Sequence, residues 1–209
     1  VSALQLVWSD ALKDKKFIYE FFGALIFLVI TMMFFARFVQ FVEVRPGIRL
    51  HDGFLDSFQA INLTWPIFIL IYGAIIGAVS LLVLTPRDLI ILFEAYALMV
   101  IIRTVMMYFV PLEPPEGMIL LQDPLVELFG STKTLTKDLF FSGHTASLCL
   151  LTLTVPRRYK WIFLAITISV ALAVLLQKIH YSIDVLVAPF ISLGCYYLTS
   201  RLHKKLIHV

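Results

Sequence analysis

Two short stretches of the chain hold residues whose types and spacing could do chemistry. The first is Asp138-Leu139-Phe140-Phe141-Ser142-Gly143-His144-Thr145, which sets an ionisable histidine inside an apolar run. Ionisable groups at membrane depth are costly and rare, so His144 is by default a functional candidate. The second is His180-Tyr181-Ser182-Ile183-Asp184-Val185, whose spacing predicts His180 and Asp184 on one face of one helix. Two imidazoles and a carboxylate are the groups that nucleophilic and acid–base catalysis needs. A carboxylate one turn from His180 accepts from one ring nitrogen, fixing the tautomer and leaving the other as nucleophile or base. The structural alternative is a His–Asp pair that only satisfies itself.

Anion binding is the second chemical theme. Ser142-Gly143-His144-Thr145 lies where a loop becomes a helix, so free backbone N–H groups and the positive end of the helix dipole can hold a phosphate. Gly143 allows close approach, and Ser142 or Thr145 can donate a further hydrogen bond. An ordinary serine cap followed by a histidine reaching for the interface is the competing account. Arg103 interrupts the apolar run Val100-Ile101-Ile102, where a guanidinium can clamp two phosphate oxygens. Its alternatives are snorkelling or pairing with an acid such as Asp138. Arg37 and Glu94 lie near helix ends and read as snorkelling or structural groups.

The elements that must position these residues are membrane spans. The chain of 209 residues is 60% hydrophobic and only 15% charged, and its mean hydropathy is +0.93. A soluble domain carries roughly 25% charge. Apolar runs of about 17 to 26 residues are long enough to cross roughly 30 Å of hydrocarbon. The expectation is an all-α integral membrane protein, a bundle of six transmembrane helices at about 17–42, 65–84, 89–110, 139–155, 161–178 and 180–200. Arg45-Pro46-Gly47, Thr85-Pro86-Arg87-Asp88, Pro111 to Gly117 and Pro156-Arg157-Arg158 mark the breaks by removing donors or adding charge.

Residues 1–16 alternate apolar and polar side chains and are expected as an interfacial cytoplasmic segment, with an ordinary frayed terminus as the alternative. Residues 17–200 are expected to form the six-helix membrane domain that carries the candidate residues, and 201–209 a basic cytoplasmic tail. No cleavable signal peptide is evident in residues 1–16. The connection at about 111–138, with Pro114 and Pro115, suits a lid or mouth loop. Cys149 and Cys195 lie in apolar runs without metal-ligand spacing and read as packing residues, so neither a metal nor a disulfide is expected. The formal charge of +3 is small and unclustered, which argues against a nucleic-acid partner.

Lysine and arginine set the orientation. With the amino terminus inside, the inner connections hold ten: Lys13, Lys15, Lys16, Arg87, Arg157, Arg158, Lys160, Arg201, Lys204 and Lys205. The outer ones hold five: Arg45, Arg49, Lys133, Lys137 and Lys178. Outer acids, among them Glu43, Asp52, Asp123 and Glu127, agree with this bias. Both termini are therefore expected in the cytoplasm. The same orientation puts His144, His180 and Arg103 near one outer face, whether periplasmic, lumenal or extracellular, although the charge count did not require it.

The two blocks together resemble the type 2 phosphatidic acid phosphatase (PAP2) superfamily, and more closely its sphingomyelin synthase branch. That branch has an aspartate, three residues and then Ser-Gly-His-Thr, matched by Asp138 and Ser142 to Thr145, and a His-Tyr-Ser/Thr-x-Asp-Val block, matched by His180 to Val185. Arg103, Thr104 and Pro111 look like its third-span motif. The chain departs from the phosphatase branch where Val39 replaces a lysine and where Ala173 and Val174 replace a Ser-Arg pair. It departs from the synthase branch at Thr136-Lys137 and Thr199-Ser200, leaving the head group open.

The resemblance implies a PAP2-like six-helix fold without metal or cofactor and a triad of His144, His180 and Asp184. His180, oriented by Asp184, attacks phosphorus and forms a phosphohistidine. His144 protonates the departing oxygen and then serves the incoming hydroxyl as base. Arg103, Ser142, Gly143 and Thr145 are the expected phosphate-binding residues, with Asp138, Tyr181 and Lys137 in support. The leading expectation is head-group transfer from a phospholipid or sphingolipid to a ceramide- or diacylglycerol-like acceptor. Hydrolysis of phosphatidate or a polyprenyl diphosphate is the alternative, and a lipid-binding or transport protein is a third class.

Overall fold

A computed structural model describes residues 3–122 and 135–207, with backbone alone at residue 3 and at 204–207. Lys133, Asp123 and Glu127, and residues 123–134 of the expected mouth loop, lie outside the described residues. Seven α-helices are described: α1 (Ala3–Ala11), α2 (Lys15–Glu43), α3 (Thr64–Leu82), α4 (Pro86–Phe109), α5 (Gly143–Thr154), α6 (Lys160–Leu176) and α7 (Ser182–Ile207). Short 3-10 turns occupy Leu55–Ser57 and Arg157–Tyr159.

Helix α4 is the central post, packed by α2, α3, α5 and α7, while α5 packs on α6 and α7. Small residues make these approaches close. Ala74 and Ala78 of α3, Ala95 of α4, Ala146 of α5 and Ala188 of α7 are all buried in one core cluster. Alanine at a helix contact lets backbones draw together where lipid supplies no hydrophobic drive for association. Ser192 of α7 adds a polar tie by donating to the carbonyl of Ala146 on α5 at 2.8 Å.

Among the described residues, five helices are long and apolar enough to cross a membrane: α2, α3, α4, α6 with its preceding turn, and α7. Helix α2 is the least buried of these: its most apolar window has mean hydropathy 2.3 yet is only 17% buried. Such a helix presents its apolar face to lipid. The expected fourth span behaves differently. Only Gly143–Thr154 is helical there, 12 residues, or about 18 Å at the α-helical rise. Its apolar run includes Leu139 and Phe141, which are buried but lie in irregular chain ahead of the helix.

Helix α7 also starts later than its spacing suggests. His180 lies ahead of it, so His180 and Asp184 do not share a helical face. The cause is a double cap. Asp184 reaches back to the N–H of Tyr181 at 3.1 Å, as the third residue of a capping box does. Asp52, from a distant loop, accepts from the N–H of Ser182 at 2.7 Å. At its other end α7 runs to Ile207, taking in most of the stretch read as a tail. Helix α1 is docked by Trp8, whose Nε1 donates to the carbonyl of Val83 at 2.8 Å while its ring packs edge-on to Phe17 and Phe21.

The connections following α2, α4 and α6, with residues 135–142, meet in one layer at one end of the bundle. Ile48 and Leu112 form a parallel bridge. A Cβ on Gly47 would stand 2.6 Å from the carbonyl carbon of Leu112, so only glycine permits that approach. Gln177, fully buried, accepts from the N–H of Leu63 at 2.9 Å and donates to Thr64 at 2.9 Å and to the carbonyl of Ile119 at 3.2 Å.

Candidate active site

Capping is what begins the site. Ser142 is the N-cap of α5, its Oγ accepting from the N–H of Thr145 at 3.3 Å, while Thr145 Oγ1 donates to the same oxygen at 3.1 Å. Both hydroxyl groups expected to serve a phosphate are thus engaged with each other and buried. The Ser142 N–H donates to the carbonyl of Asp184 at 2.9 Å, which stitches the start of α5 to the start of α7. That stitch brings the two histidine blocks together. The His144 and His180 rings lie with centroids 5.7 Å apart and planes at 63°.

Behind His180 stands Asp184, its Oδ2 3.4 Å from His180 Nδ1, a separation long for a hydrogen bond but close for a charge pair. His180 is 2% exposed and Asp184 fully buried. Asp184 Oδ1 has no hydrogen-bond partner among the described residues. The carboxylate therefore has capacity left to orient and stabilise a cationic imidazole. With Nδ1 turned to Asp184, Nε2 is the nitrogen left for a reacting atom.

Arg103, 3% exposed, lies beneath this layer. Its Nη2 contacts Asp138 Oδ1 at 2.9 Å and the Asp138 carbonyl at 3.0 Å, Nε reaches Oδ1 at 3.3 Å, and Nη1 donates to the carbonyl of Phe141. The pairing with Asp138 raised by the sequence is the one adopted. The guanidinium satisfies irregular backbone that is buried and has no helix to bond within, a need any such segment must meet. Phe140, at φ 43°, adopts the left-handed conformation in the same turn, a strained choice for a bulky residue. Four of the five Arg103 N–H donors are accounted for by these contacts, leaving one on Nη1.

Lys137 donates to Glu113 Oε1 and to the carbonyl of Arg45, both at 2.7 Å. That ammonium and the N–H of Gly47 hold Glu113 below the usual carboxylate range. Tyr181, buried, donates from its hydroxyl to the carbonyl of Glu113 at 2.9 Å and accepts from Leu50 N–H at 3.1 Å. Lys137 and Tyr181 thus hold the loops around the site. Among the described residues no three His, Cys, Asp or Glu side chains gather as a metal site.

Gly143 has a specific neighbour. A Cβ there would stand 3.0 Å from both Cζ and Nη1 of Arg103, whose position Asp138 and the Phe141 carbonyl fix. Gly143→Ala gains helix propensity of up to about 1 kcal/mol but presses on the guanidinium. The expected result is a turnover lowered roughly 10- to 100-fold, as small misplacements of a site cost, with thermal stability unchanged or slightly raised. Assay and melting curves on the same preparation check it.

Sequence reasoning did not find Asp52, Glu43 or Gln177, which hold the site through distant partners. Glu43 accepts from the N–H groups of Thr136 and Lys137 at 2.9 and 3.0 Å. A different cleft, of about 460 Å³ beside Asp10, Asp14, Phe17 and Arg87, lies at the opposite end of the bundle. There Asp10 pairs with Lys13 and Asp14 caps α2.

Residues 137–201 match the family model described as PAP2 superfamily C-terminal. The match begins at Lys137 and takes in Asp138, His144, His180 and Asp184, and it supports the PAP2 superfamily for this stretch. No curated protein and no solved structure matches the chain.

Proposed function

We propose that this protein is a membrane enzyme acting on lipid phosphate esters through a phosphohistidine, and that it transfers a phospho head group to a ceramide- or diacylglycerol-like acceptor. The observation that carries the reading is the pair of imidazoles 5.7 Å apart, with Asp184 behind one of them. Rings this close can both reach one phosphoryl group at their shared edge. Uncatalysed cleavage of such esters is so slow that a site must lower the barrier by about 20 kcal/mol. A covalent step, fixed in-line groups and stabilised equatorial charge each contribute several kcal/mol.

In the first step His180 Nε2 forms a bond to phosphorus as the bond to the departing lipid oxygen breaks. His144 gives that oxygen its proton, and Asp184 stabilises the positive charge on His180. In the second, an acceptor hydroxyl passes its proton to neutral His144 and attacks phosphorus, and the P–N bond breaks to restore His180. The N–H groups opening α5 and the remaining Arg103 donor stabilise the charge on the equatorial oxygens. Both termini face the cytoplasm in this reading, and the site opens to the other side. The sixth crossing is then made by α5 together with residues 135–142.

Water in place of the acceptor gives the alternative, a lipid phosphate phosphatase, and the same two steps serve it. Purified protein with head-group-labelled phospholipid, with and without ceramide, separates them. Label appearing in a ceramide product only when ceramide is present is the expected result. Water-soluble phosphate without a labelled lipid product overturns transfer in favour of hydrolysis.

A further inference from the structure

Helix α6 ends in a turn where glycine is the usual occupant. The N–H of Lys178 bonds the carbonyl of Leu175 at 2.9 Å, and the N–H of Ile179 bonds that of Val174 at 3.1 Å. These are the paired bonds of a Schellman ending, which places the residue between them in the left-handed region. Lys178 occupies that position at φ 57°. A lysine there is strained relative to glycine, so the backbone gives no reason for it.

The side chain gives one. Lys178 is 7% exposed, and its Nζ sits 5.4 Å from the centroid of the Phe58 ring. On its other flank is Gly117, where a Cβ would stand 3.9 Å from Nζ. Among the described residues no carboxylate pairs with it. Of the carboxylates in the same layer, Asp52 is committed to Ser182, Glu113 to Lys137 and Gly47, Asp138 to Arg103, and Glu43 to Thr136, while Glu116, next to Gly117, is exposed. Buried charges are as a rule paired, and an aromatic face is a weaker partner than an anion. Lys178 is two residues from His180, so their Cα atoms are at most about 7 Å apart.

We propose that Lys178 is a specificity-determining residue of the His180 site, its ammonium receiving anionic charge on the lipid's phosphoryl head and disfavouring cationic head groups such as choline. The inference rests on the reading of His180 as the phosphorus-binding centre. A quaternary ammonium brought to this layer meets a buried cation. A phosphate with a second negative charge meets its complement.

The test uses full-length protein in vesicles containing equal phosphatidate and phosphatidylcholine with ceramide as acceptor, and follows loss of each over time. Wild type is expected to prefer phosphatidate, Lys178→Met to lose that preference about ten-fold, and Lys178→Arg to keep it. Lys178→Gly removes the backbone strain, so it should melt no lower than wild type while losing the preference like Lys178→Met. That split separates substrate recognition from a structural role. A second arm measures retention of the two lipids by His180→Ala protein, with and without Lys178→Met, so that binding is read without turnover. Unchanged selectivity in Lys178→Met, or a wild-type preference for phosphatidylcholine, overturns the proposal and leaves the His180 reading standing. No lipid turnover by wild type overturns that reading, and the binding arm then decides whether Lys178 selects anionic lipid at all.

Discussion

His180→Ala is expected to lower turnover of any lipid substrate by about four orders of magnitude or more, the scale seen when a covalent nucleophile is removed. Asp184→Asn should cost somewhat less, roughly 10²- to 10⁴-fold, because the imidazole remains but loses the charge that orients it and stabilises its cation. The two histidines part company on an activated substrate. An ester whose leaving group is a nitrophenolate needs no proton on departure, so His144→Ala should still form the phosphoenzyme and accumulate it. His180→Ala should form none. Rapid quenching with a phosphorus-labelled ester, followed by scoring of acid-labile label on the protein, reads both. Label on His180→Ala protein, or none on His144→Ala protein, reverses or removes the assigned roles. His180 is 2% exposed, so His180→Gln, which keeps most of the volume, guards against an uninformative loss of fold.

The two blocks of the candidate site were legible in the sequence because each is local. Ser142 to Thr145 and His180 to Asp184 carry their groups within a few residues, and the apolar runs around them announce helices by length alone. What sequence did not reveal is how the halves are fixed. Hydropathy cannot tell a buried helical residue from a buried irregular one, so Leu139 and Phe141 read as the start of a span although they precede α5. Spacing of four suggested a shared helical face for His180 and Asp184, but the start of α7 is set by Asp52, about 130 residues away in sequence. A loop aspartate with a remote backbone partner has no local signature. Lys137 and Tyr181 belonged with the site by position, yet their contacts hold its surrounding loops.

Arg103 is where structural and chemical roles must be separated by experiment. Arg103→Met removes every contact the guanidinium makes, leaving the Asp138 carboxylate and the carbonyls of Phe141 and Asp138 without their donor. Breaking a fully buried ion pair from one side costs about 3–5 kcal/mol; with the Asp138 side chain 32% exposed that is an upper bound, and at this chain length it sets the fall in Tm at no more than roughly 6–20 °C. Arg103→Lys should fall between, since one ammonium cannot span a carboxylate and two carbonyls in the planar geometry of the fork. The double variant Arg103→Met with Asp138→Leu no longer strands the carboxylate, so it should recover part of the lost Tm. Its turnover decides the rest. If the guanidinium also stabilises charge on the transferring phosphoryl group, activity stays 10²-fold or more below wild type, the scale of losing one preorganised donor, even as stability returns. Recovery of Tm and turnover together would make Arg103 a strut for the 138–143 turn and leave the N–H groups opening α5 as the phosphate's main hold.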